Sequence, residues 1–321
     1  MIQRIVISAL LLLHAALASA QPYPSKPIRV IVTQTSGSNM DVTARLVTPK
    51  MAELLGQQIV IDNRGGAGGL IGAQIAARAV ADGYTLVFGG ASSMINTSFT
   101  YKDAGFDAIR DFAPISLVSQ QEAILSVTPN LPVKTVKDLI ALTRAKPNTL
   151  NMASAGVGSS SHLAGILFNN MAGLETVHVA YKGGGPMGFA VIGGEAQWCF
   201  GLAAAFAGHY KSGRLRAIAV TTKQRAPLMP EVPTVDESGV PGYEYTTWNA
   251  FLAPAGVPKP YIAKLHAVIQ KALADREVNE LYLAQGTVPV GSATPAAFSN
   301  YFRADFERVG KLIKMAGIKP E

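Results

Sequence analysis

Glycines and small hydroxylated residues gather in one short stretch of this sequence, SAGVGSSSHLAGILF, which runs from Ser154 to Phe168. The strand-like segment LNMASA leads into it, and apolar residues at helical spacing follow. Glycines allow backbone N–H groups to approach a ligand, and the amides at the start of a helix attract negative charge. The stretch therefore indicates an anion site at Gly156, Gly158 and the serines 159–161. An ordinary strand–helix connection with a capping serine is the alternative, and the sequence leaves it open.

Neither of the two glycine-rich loops fits a nucleotide. The spacing G-V-G-S-S-S resembles the dinucleotide fingerprint with Ser161 in its last position, but the acidic residue that follows, Glu175, does not end a strand. In RGGAGGLIG, the residues Gly66, Gly68 and Gly72 miss the same spacing by one residue, and no G-K-[ST] follows. We interpret this second loop as a structural turn, and we expect no cofactor.

Two further loops carry hydroxyl groups at points where a strand gives way to a helix. Thr35, Ser36 and Ser38 follow the strand IRVIVT, and Ser92 follows the strand YTLVFGG. In open α/β sheets, ligands bind outside the carboxyl ends of parallel strands. Together with the serine-rich stretch, these loops predict a polar clamp for a small anion.

Catalytic and metal-binding spacings are absent from the sequence. Ser160 and His162 lie two residues apart, which a helix places on different faces, and no G-x-S-x-G elbow occurs. The five histidines are scattered, with no H-E-x-x-H spacing. We therefore expect no enzyme and no catalytic or metal-ligating residues. A hydrolase built on a serine–histidine pair stays an alternative, because such pairs are defined by three-dimensional geometry.

The first 20 residues, MIQRIVISALLLLHAALASA, have the features of a secretory signal peptide. Arg4 precedes an apolar run from Ile5 to Leu17, and Ala18-Ser19-Ala20 is an A-x-A cleavage site. The run is shorter than the roughly 20 residues that span a bilayer. The sequence therefore predicts export with cleavage after Ala20.

Composition favours a well-packed protein that binds small anions. Hydrophobic residues make up 49% of the 321 residues, which is enough for a large core and two compact domains. The formal charge is +7, but the lysines and arginines are scattered, with no basic run and no aromatic interleaving. A mildly basic surface that attracts anions accounts for this balance, so nucleic acid is not an expected partner.

Strand-like and helix-like patterns alternate along almost the whole mature chain, which predicts an α/β fold with mostly parallel sheets. The pattern restarts after about residue 121, and the strand-like segments near 115–127 and 215–222 are expected to cross between two lobes. The expected organisation is a signal peptide at 1–20, lobe 1 at 21–121 and 223–321, and lobe 2 at 122–222.

A set of collinear segments that covers almost all of the mature chain matches one known family. These segments are YPSKPIRVIV, LGQQIVIDNRGGAGGLIGA, ADGYTLVFG, DFAPISLV, SAGVGSSSHLAGILF, HVAYKGGGP, GRLRAIAVTT and PEVPTVDESGVPGYEYTTWNAFLAPAGVPKP. With them the chain resembles the periplasmic solute receptors of tripartite tricarboxylate transporters, also called Bug proteins. The resemblance implies a type II periplasmic-binding-protein fold whose two lobes close on a small carboxylate. It also implies delivery of that ligand to membrane permease subunits of a tripartite transporter.

The resemblance further implies which residues bind the ligand. The serine-rich stretch would hold a ligand carboxylate through amides and hydroxyls, and the loop after the first strand would form the opposite lip. Tyr181 and Lys182 would border the cleft, although a solvated loop charge is an equal interpretation of Lys182. The implied binding residues are Thr35, Ser36, Gly37, Ser38, Ser92, Ser154, Gly156, Gly158, Ser159, Ser160, His162, Tyr181, Lys182 and Gly201.

Two departures from the family pattern bear on the ligand. TQTSGS follows the first strand where the family has a proline-glycine-glycine loop, and Phe200 is followed by Gly201 where the family tends to have Phe-Asp. Loss of that carboxylate disfavours an amino-acid ligand and favours a bulkier, partly apolar acid. We therefore expect a monomeric periplasmic receptor for a di- or tricarboxylate or an aromatic acid. A ligand-presenting signalling module stays open as a second alternative beside the hydrolase.

Overall fold

The computed structural model describes residues 23–226, 229–285 and 287–320. The predicted signal peptide at 1–20 lies outside the described residues. The strands of the described chain are β1 Ile28–Val32, β2 Ile59–Asn63, β3 Thr85–Gly90, β4 Phe112–Val127, β5 Asn151–Ser154, β6 Val177–Ala180, β7 Trp198–Leu202, β8 Arg216–Val220, β9 Thr246–Pro254 and β10 Val288–Pro289.

Helices connect most of these strands. They are α1 Asn39–Leu55, α2 Leu70–Ala77, a π-helical turn Ser92–Asn96 that continues into α3 Thr97–Thr100, α4 Val136–Ala145, α5 Ser160–Ala172, α6 Gly184–Gly193, α7 Ala203–Lys211, α8 Lys259–Ala274, α9 Arg276–Ala284 and α10 Pro295–Met315. Across the described ranges, none of the helices combines the length and the apolar character that crossing a bilayer requires.

Strand β1 is the buried centre of the first parallel unit. It pairs in parallel with β2 on one side and with β3 on the other. Val30 and Val32 are fully buried in the core beneath α1, whereas Ile31 is fully buried in the core on the opposite face of the sheet.

The long strand β4 joins the two halves of the molecule. Its first half pairs antiparallel with β9 and β10, and its second half pairs antiparallel with β7 and β8. The change of partners falls between Glu122, which is opposite Thr246, and Ala123, which is opposite Leu202. We define lobe 1 by β1, β2, β3, β9 and β10, and lobe 2 by β5, β6, β7 and β8.

The strand order β2-β1-β3-β9-β4-β7-β5-β6 confirms the predicted α/β fold with a strand that crosses between lobes. Parallel pairing is confined to the outer strands of each lobe, and every strand beside β4 is antiparallel to it. The helices therefore lie on both faces of the outer parallel units, and their N-termini follow the carboxyl ends of β1, β5 and β6.

The segment that follows β8 lies with lobe 2, whereas we expected it in lobe 1 from residue 223 onwards. The Val235 N–H donates to the Val220 carbonyl at 2.9 Å, and the Tyr243 hydroxyl donates to the Ala164 carbonyl at 3.0 Å. Tyr243 is fully buried, because it packs against Phe168 of α5. The chain thus returns to lobe 1 near Tyr245, and β8 itself pairs with the lobe 2 half of β4.

Candidate ligand-binding cleft

A cleft of about 630 Å³ lies between the two lobes. The segments that line it are the loop from β1 to α1, the π-helical turn after β3, the starts of α5 and α6, and part of β9. The volume falls within the roughly 300–1,000 Å³ that is typical of small-molecule sites. The predicted polar loops of both lobes therefore open onto one cavity.

The loop before α5 presents free backbone amides to this cleft. Gly156 and Gly158 have φ values of +130° and +72°, which bend the chain away from β5. Ser159 then caps the helix, because its hydroxyl accepts a hydrogen bond from the His162 N–H at 3.3 Å. The N–H groups of Ser160 and Ser161 have no acceptor within the described part of the chain. These two amides and the positive end of the helix dipole attract a negatively charged group, and we call them the anion pole of α5.

Two stacked histidines form hydrogen bonds that hold this loop in place. The rings of His162 and His178 lie 3.7 Å apart with an angle of 10° between their planes. His162 Nδ1 accepts the Gly158 N–H at 3.1 Å, and His178 Nε2 lies 2.7 Å from the Ser154 hydroxyl. Burial, together with the neighbouring His178, lowers the pKa of His162 to about 3, so its ring is neutral at pH 7. A neutral ring is required, since a protonated Nδ1 cannot accept the Gly158 N–H.

These contacts give three of the predicted ligand residues a second role. Ser154 is fully buried and His162 is 6% exposed, and neither side chain lines the cleft. The Gly158 N–H is engaged by His162, although Gly158 itself lines the cleft. Direct contact of these groups with a ligand stays a prediction, and their observed contacts hold the amides of the next residues in place.

The loop from β1 to α1 forms the facing lip of lobe 1. Thr35 lines the cleft, whereas the next three residues, which we also predicted as ligand contacts, do not. Ser36 and Gly37 donate hydrogen bonds to the Asp41 carboxylate, at 3.5 and 2.9 Å, and the Ser38 hydroxyl caps α1 by accepting the Asp41 N–H at 3.2 Å. The three residues after Thr35 thus hold the loop on its own helix.

Asp41 is the charged residue that holds the loop from β1 to α1 in place. Its side chain is almost completely buried, and Arg45 and Asn63 both donate hydrogen bonds to its carboxylate at 2.9 Å. Burial alone would raise the pKa of Asp41, but the hydrogen bonds from Arg45, Gly37 and Asn63 hold that pKa below its ordinary value. The carboxylate is therefore ionised and engaged at neutral pH, and it is not part of the cleft surface.

The π-helical turn after β3 brings lobe 1 into contact with lobe 2. Ser92 lines the cleft at the first position of the turn. The Asn96 Nδ2 group donates to the Gly158 carbonyl at 2.8 Å, in a buried hydrogen bond between the lobes. Thr100 lies beneath Gly158, so closely that a Cβ at that glycine would approach its methyl group to 2.5 Å. Only glycine fits there without displacing Thr100.

The lobe 2 wall of the cleft is apolar around Phe206 of α7. This ring is 2% exposed and fills the space where side chains would stand on Gly188 and Gly201. A Cβ on Gly188 would lie 2.6 Å from the ring, and a Cβ on Gly201 would overlap it. Phe206, Met187 and Leu202 line the cleft, while Gly201, which we predicted as a ligand contact, lies behind the ring.

The glycine turn before α6 also reaches the cleft, but through different residues from those predicted. Tyr181 and Lys182 lie outside the cleft lining, and Lys182 is exposed. Gly183 and Gly184 line the cleft instead. The N–H of Gly184, at the start of α6, has no acceptor within the described residues. A second helix start thus faces the same cavity as α5.

Two lining residues of the cleft floor were missed by sequence reasoning. Asn249 of β9 and Asn96 of the π-helical turn are 6% and 3% exposed and each retains a buried atom without a hydrogen-bond partner within the described chain. A lone asparagine inside the apolar strand TTWNAFLAPA was the available signal for Asn249, since asparagine is disfavoured in strands. No local sequence pattern predicted that Asn96 lines the cleft.

The surface of the cleft carries almost no charge. Among the described lining residues there is no Asp or Glu, and Lys319 is the one charged side chain. The described residues also contain no cluster of three or more His, Cys, Asp or Glu side chains that could hold a metal ion. The arrangement can therefore bind and orient an anion through backbone amides and hydroxyls.

Two lobes around an amide-lined cleft define a solute-binding protein of the periplasmic type. The sequence model described as the tripartite tricarboxylate transporter family receptor, TctC, matches residues 43–318. The chain belongs to this family.

Named relatives agree with this assignment. BugT of Bordetella pertussis is 33% identical over 306 residues, which are 95% of this chain and 94% of that protein. The solved structure of Rpa4515 from R. palustris with adipate has a TM-score of 0.83 and 34% identity, and it covers 93% of this chain and 100% of that chain. MatC from Rhodopseudomonas palustris with bound malate has a TM-score of 0.78 and 27% identity, over 91% and 100% of the two chains.

Proposed function

We propose that this chain is an exported, monomeric receptor that captures a small organic carboxylate in the cleft and delivers it to permease subunits in the membrane. The observation that carries the proposal is the pair of unengaged amides at Ser160 and Ser161, which face a cavity without acidic side chains. Charge-assisted hydrogen bonds contribute about 1.5–3 kcal/mol each, so a few of them support micromolar binding.

The relatives support a carboxylate ligand. Rpa4515 was solved with adipate and MatC with malate, and both share the fold over nine-tenths of this chain. The serines and glycines at the start of α5 supply the kind of neutral donors that receive such an acid. The signal peptide at 1–20, cleaved after Ala20, fits a location in the periplasm.

The shape of the cleft favours an acid with an apolar body. Phe206, Met187 and Leu202 offer an apolar wall, and the absence of Asp and Glu from the described lining leaves no negatively charged partner for a ligand ammonium group. Lys319 at the edge adds one positive charge. We infer a ligand that is a di- or tricarboxylate or an aromatic acid, in preference to an amino acid.

The serine–histidine hydrolase has one pair of residues in its favour, Ser154 and His178, at 2.7 Å. Ser154 is fully buried and outside the cleft lining, however, and its hydroxyl also contacts the backbone of Gly156. A substrate carbonyl cannot reach such a hydroxyl without unfolding the loop. A receptor that presents its ligand to a sensor would use the same cleft, and the two binding roles differ only in the membrane partner.

Native mass spectrometry of freshly purified protein tests the proposal. We expect one co-purified acid per chain, released unchanged on denaturation. Recovery of a cleaved or otherwise transformed acid would favour the hydrolase. Absence of any bound acid, together with no binding of added di-, tri- or aromatic carboxylates, would contradict the receptor.

A further inference from the structure

Asn249 carries a buried side-chain amide that the protein leaves without a partner. The residue is 6% exposed, and its Nδ2 atom has no hydrogen-bond acceptor within the described part of the chain. Nearly all buried polar groups in folded proteins are hydrogen-bonded, so an orphaned one calls for a specific partner. Because Asn249 lines the cleft, that partner can come from the ligand.

The position of Asn249 on β9 sets where that partner must lie. Thr247 and Asn249 are two residues apart, so they share the face of β9 that lines the cleft. The Thr247 hydroxyl lies 3.5 Å from the Ser160 hydroxyl at the anion pole of α5. Two residues of a strand advance by about 6.8 Å, so Asn249 lies at about that distance from Thr247 along the floor of the cleft.

The residues opposite Asn249 in the neighbouring strands carry no charge. In β3 the opposite residue is Gly90, and the space above this glycine is bordered by Asn249 Oδ1 and by the methyl group of Met40. A Cβ on Gly90 would lie 3.0 Å from Asn249 Oδ1. On the other side, Asn249 is opposite Ser119 of β4, which is fully buried and does not line the cleft.

We propose that Asn249 is a specificity-determining residue that binds a second oxygen function of the ligand, while the amides of α5 bind its carboxylate. This inference rests on the proposed function of the cleft. The carboxamide both donates and accepts, so a second carboxyl, a hydroxyl or a carbonyl oxygen satisfies it. The ligand class is therefore an acid with two separated oxygen functions joined by an apolar chain, which lies along the Phe206 wall.

Three six-carbon acids test this proposal, since they differ only at the end remote from the carboxylate. They are hexanoate, 6-hydroxyhexanoate and adipate. We expect the wild-type protein to bind at least one of the two oxygenated acids about tenfold or more tighter than hexanoate, and the preferred acid identifies the second group as hydroxyl or carboxyl. In Asn249→Leu, which has a similar volume and no polar atoms, we expect that preference to disappear while hexanoate affinity is kept.

The melting temperature of the ligand-free protein separates this role from a structural one. Replacing an unpaired buried amide with leucine should leave the melting temperature unchanged or raise it. Ser119→Ala is the matched control, because its hydroxyl is also buried and unpartnered but lies outside the cleft, and this variant should keep the wild-type preference. Asn249→Ala, which cannot clash with its neighbours, should lose the preference in the same way as Asn249→Leu.

The outcomes separate this inference from the proposed function. If the wild type and both Asn249 variants bind the acids with the same preference for an oxygenated acid over hexanoate, the role of Asn249 is overturned. The proposed receptor function is then unaffected. A wild type that binds hexanoate as tightly as both oxygenated acids also overturns it. A wild type that binds none of the three, and yields no co-purified acid, overturns the receptor and this inference together.

Discussion

At the scale of single residues, the neutral histidine pair determines whether the anion loop keeps its shape. His162 and His178 are stacked under the loop, and His162 must stay unprotonated to accept the Gly158 N–H. Burial lowers the pKa of both rings, to about 3 in the case of His162. The loop that forms the anion pole is therefore coupled to the protonation of two groups that do not line the cleft.

We predict that the free energy of unfolding falls as the pH drops from about 6.5 toward about 3. The unfolded chain takes up a proton near the ordinary histidine pKa of about 6.5, whereas folded His162, with a pKa of about 3, stays neutral. The folded state thus binds fewer protons in this range, so acid favours unfolding. Urea denaturation at a series of pH values measures the slope.

The variant His162→Gln provides the control, because glutamine keeps a neutral acceptor and cannot be protonated. Its unfolding free energy should decline less steeply with acid than that of the wild type. Parallel declines in the two proteins would show that His162 is not the group responsible.

Individual site residues were predictable where a local pattern marked them. Thr35, Ser92, Gly156 and Ser160 follow strand ends, and all four line the cleft. Asn249 comes to the cleft only through the register of β9 with its neighbours, which no local spacing encodes. Direct contact of any of these residues with a ligand stays a prediction.

At the scale of elements, α5 is the helix on which recognition depends. Its first turn provides the free amides, and its cap, Ser159, orders that turn by accepting the His162 N–H. Removing a cap of this kind costs about 1 kcal/mol of stability. In α5 the same change should also loosen the anion pole.

We predict that Ser159→Ala lowers stability by about 1 kcal/mol and weakens ligand affinity severalfold. Thr294→Ala is the matched control, since Thr294 caps α10 by accepting the Ala297 N–H at 3.0 Å and does not line the cleft. It should lose similar stability without loss of affinity. Calorimetry and thermal melting compare the two. Equal affinities in both variants would contradict a role for the α5 cap in binding.

The sequence predicted the regular elements better than the irregular ones. The parallel unit of β1, β2 and β3 follows from its apolar runs and glycine turns. Helix α9 is difficult to separate from α8 in the sequence, because Asp275 ends α8 and also caps α9, so no loop divides the two helices. The described residues of 223–226 and 229–245 form no helix or strand, so their place beside lobe 2 depends on long-range contacts such as the hydrogen bond from Val235 to Val220 and the packing of Tyr243.

At the scale of the whole molecule, two strands run side by side where the chain passes between the lobes. Glu122 of β4 is opposite Thr246 of β9 at the point where both strands pass from one lobe to the other. Burial raises the pKa of Glu122. A second contact between the lobes is the buried hydrogen bond from Asn96 to the Gly158 carbonyl.

We predict that Asn96→Ala shifts the ligand-free protein toward a more open arrangement. Loss of the hydrogen bond to the Gly158 carbonyl removes a contact that joins the two lobes, so the radius of gyration without ligand should increase and the affinity should fall. Asn169→Ala is the matched control, because its Nδ2 group makes a 2.8 Å hydrogen bond to Thr176 within lobe 2. Small-angle X-ray scattering compares the variants. An unchanged radius in Asn96→Ala would contradict the role of this hydrogen bond.

Isothermal titration calorimetry of the wild type and Ser160→Ala with a panel of small carboxylates, adipate and malate included, tests whether the start of α5 captures an acid. We expect the wild type to bind at least one of these acids, one per chain and with micromolar or better affinity. Loss of the Ser160 hydroxyl should weaken that binding about tenfold, as expected for a hydrogen bond to a charged group. No binding by the wild type would contradict capture of an acid at the start of α5, and equal affinity in the two proteins would contradict a hydrogen bond from the Ser160 hydroxyl to that acid.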